Sequence, residues 1–173
     1  ENEGRWLKLS KELKEKLSLK KIPQRIEAFD MSNLSGSDPV GSMVVFIEGK
    51  EAKSEYRRFS IKDAPARDDI KMHREVLLRR LSHSEWEPPD LIVIDGTINH
   101  LRALVPIIDQ FKLEVDMIAI SKSSPHDRIW KPTGEIVLPT DDPVFLFIQR
   151  IRDEAHRFAI SYQRKKRSKS TFN

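Results

Sequence analysis

The stretch PPDLIVIDG, residues 88–96, constrains the fold more than any other part of the chain. Leu91, Ile92, Val93 and Ile94 leave no polar side to face water, and the run is too short for a helix. It is entered from two prolines and left through Asp-Gly, so it reads as a short strand covered on both faces. DMIAISK, from Asp116, is a second such strand, and INHLRALVPIIDQF between them has helical spacing, interrupted or bent at Pro106. Strand, helix, strand is the crossover unit of a parallel sheet.

The upstream half has a different rhythm. RIEAFDMS and the almost wholly apolar VGSMVVFIEG are separated by the turn formers NLSGSDP, and AKSEYRRFSIK resumes as a more polar strand after Gly49-Lys50. Two antiparallel hairpins in a row are the economical reading. DDIKMHREVLLRRLS then carries apolar residues at helical spacing, with Asp68 or Asp69 placed to cap its free amides. Before all of these, GRWLKLSKELKEKLSLKKIP reads as an amphipathic helix stopping ahead of Pro23. Ser123 to Gly134 reads as a surface loop, EIVLP as a further short strand, and the last helix starts near Pro143 and runs into a basic tail. Hairpins followed by crossover units predict an α/β fold, a mixed sheet with helices on both faces.

The absence of cysteine excludes disulfides, thiolate zinc sites and a cysteine nucleophile, leaving Asp, Glu and His as metal ligands. The sequence contains no G-x-S-x-G, H-E-x-x-H or EF-hand pattern, and its 6 glycines form no phosphate-binding loop. No apolar run reaches membrane-spanning length and the N-terminus has no signal-peptide core, so the expected compartment is the cytoplasm. Beginning at Glu1, the chain reads as a piece of a longer protein. The net charge of +4 is modest, but five of the seven residues from Gln163 to Lys169 are Lys or Arg. Such a cluster suits a polyanion.

Two apolar strands end in an acid, IEAFD at Asp30 and LIVID at Asp95. If those strands are parallel neighbours, both carboxylates emerge at one sheet edge, and a divalent magnesium or manganese ion would relieve their repulsion. Taken singly, each acid is as readily a turn former. His156 is a third candidate, next to the buried face marked by Ile151, Ala155, Ala159 and Tyr162. Asp153, one turn earlier, can meet it on that helix, while Asp153 and Glu154 also fit a plain solvated face.

RIEAFDMSN, VGSMVVFIEGK, SEYRRFSIK, RDDIKMHREVLLRR, PPDLIVIDG and IQRIRDEAHRFAISYQRKKRSK, in that order, resemble the C-terminal endonuclease domains of the UvrC family. These belong to the excinuclease of bacterial nucleotide excision repair. The resemblance implies a ribonuclease H-like fold and a metal-dependent endonuclease, using Mg2+ or Mn2+, that cuts damaged double-stranded DNA on the 5′ side of the lesion. It implies catalytic Asp30, Asp95 and His156, the same three as metal ligands, and a fourth catalytic position at Asp69. Lys122 falls on a family lysine, where it would pair with a DNA phosphate or with the acidic cluster, and it also fits an ordinary strand-end lysine. The helicase subunit, UvrB, would be a partner through parts of the full protein outside this segment. Where the family has IDGGKGQL this chain has IDGTINHL, with Thr97, Ile98, Asn99 and His100 replacing a glycine-rich turn, and Ile70 stands where the family has an aromatic.

The expected organisation is a flanking helix over 1–22, the endonuclease domain over 23–163 and a basic tail over 164–173, whose Arg164, Lys165, Lys166 and Arg167 would neutralise DNA phosphates. Two other readings share the fold: a nucleic-acid-binding module without cleavage, and a nuclease acting in recombination or on RNA.

Overall fold

Strand β5 (Leu91–Asp95) lies at the centre of the sheet, with parallel partners on both sides, β1 (Arg25–Ser32) and β6 (Asp116–Ser121). That is the environment its unbroken apolar run requires. The computed structural model describes residues 2–32 and 38–172, and within those limits the side chains from 3 to 161. Chain order is α1 (Asn2–Lys16), β1, β2 (Val40–Ile47), β3 (Lys50–Glu51), β4 (Arg57–Ser60), α2 (Asp69–Ser82), β5, α3 (Ile98–Phe111), β6, β7 (Arg128–Lys131), β8 (Gly134–Ile136) and α4 (Pro143–Phe172). The sheet runs β3-β2-β1-β5-β6-β7-β8, with β4 also on β2.

Alternation along the strands divides the core in two. Ile26, Ala28, Val44, Leu91, Val93 and Ile118 face α1 and α4, whereas Phe29, Met43, Val45, Ile92, Ile94 and Met117 face α2 and α3. Each fully buried Leu, Ile or Phe side chain is worth roughly 1.5–3 kcal/mol, so both layers are tied firmly to the sheet. α1 belongs to the first layer: Leu13 and Leu17 are fully buried there. It ends where Ser18 takes a left-handed φ of 51°, several residues before Pro23.

A buried charge network fixes α2. Glu27 of β1, fully enclosed, accepts from Arg25 Nε at 2.8 Å and from Arg80 Nε and Nη2 at 2.7 Å each. Arg80 also donates to the Glu87 carbonyl at 2.6 Å. Charges this deep are tolerated because nearly every lone pair and proton is matched.

Three elements depart from the expectations. The polar strand after Gly49 is two pieces, β3 and β4, separated by a 3-10 turn at Lys53–Glu55 and both paired with β2. Pro106 does not interrupt α3, because it sits on the exposed face, where water can satisfy the carbonyl of Arg102. The segment expected as loop from Ser123 contains β7, paired antiparallel to β6. With Ile129 as its one fully buried residue, this strand, between β6 and the edge strand β8, lacks the apolar run that marks a central one.

Candidate active site

The register of β1 with β5, Phe29 opposite Ile94, brings Asp30 and Asp95 side by side at the C-terminal edge of the parallel strands. Both lie one residue beyond a position facing α2 and α3, so both side chains turn toward α4. The Asp30 carboxyl is pushed up to about 7, first by burial, then by the negative charges of Asp95 and Asp69, and by a hydrogen bond shared with Asp95. Near neutral pH Asp30 is therefore still partly protonated and can donate to Asp95.

His156 approaches from α4. Ile151, Ala155 and Ala159, spaced by four, bury that helix on the sheet, and His156 stands beside them with its side chain 62% exposed and Nδ1 3.9 Å from Asp30 Oδ2. Glu154 locks the rotation of the helix: it accepts from the Tyr56 hydroxyl at 2.7 Å and from Arg157 at 2.6 and 2.8 Å. Arg152 donates to Asp127 at 2.8 Å and to Asp153 at 3.0 Å. Asp153 is exposed, so of the two helix acids it is the one on a solvated face.

Asp69 enters at the start of α2. The cap there is Asp68, whose side chain accepts from the Lys71 amide at 3.1 Å, so the helix leaves the Asp69 carboxylate free. His100 and His73 meet it instead, with His100 Nε2 2.7 Å from Asp69 Oδ2 and His73 Nδ1 3.4 Å from the same oxygen. Burial is the largest influence on Asp69 and acts to raise its pKa, but the hydrogen bond from His100 together with the charges of His73 and His100 outweighs it and holds the carboxyl below its usual range. Burial holds His73 below the usual histidine range, so that ring is neutral.

Neither histidine was singled out by a motif. The signals were present: Asp69 and His73 are four apart on one helix, and His100 occupies the N3 position of a helix capped by Thr97, where Glu or Gln would close a capping box.

Asp69, His73 and His100 each present a ligand-type atom, all within 4.8 Å of one another. Protonation argues against His100 as a ligand, because its Nδ1 accepts from the Thr97 amide at 3.1 Å and its Nε2 must then carry the proton. Asp30, Asp95 and Asp69 all offer hard oxygen donors, and after burial the charges of Asp95 and Asp69 are what raise the Asp30 pKa.

Lys122 follows β6 as an exposed residue, and its charge acts on Asp127. The side chains of Tyr162, Arg164, Lys165, Lys166 and Arg167 lie outside the described residues.

Comparison with known proteins gives a match to the family model described as the UvrC RNAse H endonuclease domain over residues 14–160. The UvrABC system protein C of Desulforapulum autotrophicum is 43% identical over 162 residues, 88% of this chain and 27% of that protein. Those of Methanococcus maripaludis and Desulfatibacillum aliphaticivorans are 46% identical over 91% of the chain and 39% identical over 98%, each covered over 30% of its own length. The chain thus spans less than a third of these relatives. Among solved structures, Ciona intestinalis endonuclease V in complex with inosine-containing DNA overlaps with a TM-score of 0.43 at 19% identity, over 69% of this chain and 57% of the other. That overlap is too slight to carry function across.

Proposed function

Since the chain belongs to the UvrC RNase H endonuclease domain family, we propose that it hydrolyses a phosphodiester of damaged double-stranded DNA, making the 5′ incision of nucleotide excision repair. The observation that carries this reading is the pair of strand-end carboxylates, Asp30 and Asp95, too close to ionise independently and open toward His156.

In this reading Asp30, Asp95 and His156 would hold Mg2+ or Mn2+, with Asp69 as a third acid beside them. When bound, the ion neutralises charge on the scissile phosphate and lowers the pKa of the attacking water. Asp30 and Asp95 would release their shared proton to solvent in exchange for the cation, and would fix its position against the phosphate. As the water oxygen adds to phosphorus, in line with the departing 3′ oxygen, the water proton passes to the exposed imidazole of His156 where that ring acts as base, or to solvent where it ligates the ion. The bond to the 3′ oxygen breaks, that oxygen takes a proton from solvent, and the strand is left with 3′-hydroxyl and 5′-phosphate ends. Lys122 and the basic run Arg164, Lys165, Lys166 and Arg167 hold the backbone without reading sequence, which suits lesions in arbitrary surroundings.

The helicase subunit UvrB would engage the full-length protein outside this segment, with the cytoplasm as the compartment. No helix among the described residues is long and apolar enough to cross a membrane.

The test is 5′ incision of lesion-bearing duplex by the full-length protein, assembled with its repair partners in Mn2+. Asp30→Asn, Asp95→Asn and His156→Ala should each lower the rate more than about a hundredfold. Cutting at the parent rate by all three would refute the assignment.

A further inference from the structure

We propose that His100 is a positioning residue for Asp69, with its ring proton fixed on Nε2 by the backbone of its own helix so that one Asp69 oxygen is engaged and the other is free for the cation. This rests on the reading of Asp69 as part of the cation site.

The proton assignment follows from what each partner can do. The Thr97 amide can only donate, and it donates to His100 Nδ1, 3.1 Å away. In the neutral ring the proton therefore sits on Nε2, which faces Asp69 Oδ2 at 2.7 Å. For His73 the logic is reversed. The Asp69 backbone carbonyl can only accept, and it lies 2.8 Å from His73 Nδ1, so the His73 proton is on that nitrogen. The two rings pack edge to face, 5.4 Å apart at 83°. The start of α2 is thus held by two imidazole N–H groups, one on the Asp69 side chain and one on its backbone. Fixing a ligand through such a partner raises metal affinity by removing orientations that cannot bind.

The turn after Asp95 makes this approach feasible. A Cβ at Gly96 would lie 2.6 Å from Cγ of His100. The residue after one strand-end carboxylate is therefore the one whose smallness lets His100 reach another.

Because His100 both closes the cap of α3 and donates to Asp69, its two tasks separate by substitution. Glutamine at this position can accept from the Thr97 amide and still donate to Asp69. Glutamate can accept from that amide but has no donor, and it adds a like charge. Alanine does neither. The experiment is Mn2+ titration of the chain by calorimetry, with thermal unfolding alongside, on H100Q, H100E, H100A and D69N. H100Q should keep the Mn2+ midpoint within about threefold of the parent, whereas H100A should weaken it about 10- to 100-fold. H100E should weaken it at least as much as H100A while unfolding near the parent temperature. H100E binding as well as H100Q, or H100A binding like the parent, would overturn the proposal and leave His100 a helix cap. D69N without effect would overturn the reading of Asp69 and this inference together. D69N weakened beside unchanged His100 variants would overturn this inference alone.

Discussion

Asp30 shows how one residue records the state of the whole site. Its carboxyl is raised to about 7 by burial and by its acidic neighbours. Between the unfolded value near 3.8 and that value, the folded protein keeps a proton that the unfolded chain has released. The contribution of Asp30 to stability is therefore full below pH 4 and is lost as pH rises through 7. Two predictions follow at this scale. Without metal, Asp30→Asn should raise the unfolding temperature at pH 8 by at least about 2 °C, corresponding to ~1 kcal/mol, and not at pH 4. Mn2+ affinity of the parent should rise about tenfold per pH unit below 7 and level off above it, as expected when one proton is displaced. Calorimetry in buffers of different ionisation enthalpy reads that proton directly. Asp30 and Asp95 were legible as paired acids because each terminates an apolar strand. His73 and His100 were not, since their meeting with Asp69 depends on how α2 and α3 pack against each other. Asp68 and Asp69 could not be told apart as caps until Lys71 was seen to donate to Asp68.

At the scale of elements, α2 and α4 present Asp69 and His156 to a fixed sheet edge, and each is pinned by polar groups as well as by apolar packing. For α2 the pin is Glu27 between Arg25 and Arg80. Glu27→Ala should cost about 3–5 kcal/mol, chiefly because it strands the buried Arg80 guanidinium and leaves Arg25 with Glu55 as its remaining carboxylate, and lower the unfolding temperature by roughly 10 °C. For α4 the small residues Ala155 and Ala159 set the distance to the sheet. Ala155→Leu should lift His156 away from Asp30 and lower incision about a hundredfold, by the cost of a misplaced group of order 1 Å. Incision at the parent rate would contradict the role given to α4. The central strands and all four helices were readable from periodicity. What escaped was β7, held by pairing with β6 and β8 and by a single buried isoleucine, and the continuity of α3 through Pro106, which lies on its exposed face.

At the scale of the molecule, a mixed sheet with α1 and α4 on one face and α2 and α3 on the other gathers three acids and a histidine at one rim, and the C-terminal part of α4 carries a basic run. Replacing Arg164, Lys165, Lys166 and Arg167 by alanine should lower the slope of log affinity for duplex DNA against log salt by about 3–4, close to one per lost phosphate contact. An unchanged slope would remove the tail from the interface. The order of sheet and helices was legible because hairpins precede crossover units. The convergence of α2 on that rim was not, because it is set by the Glu27 network and by Asp68 taking the cap. The central claim is that Asp30 and Asp95 share one divalent ion, and anomalous diffraction from crystals of the chain soaked in Mn2+ tests it most directly. The account predicts an ion with oxygens of both carboxylates in its coordination sphere, about 2.0–2.3 Å away. An ion bound elsewhere, with Asp30 and Asp95 still joined by their own hydrogen bond, would contradict it.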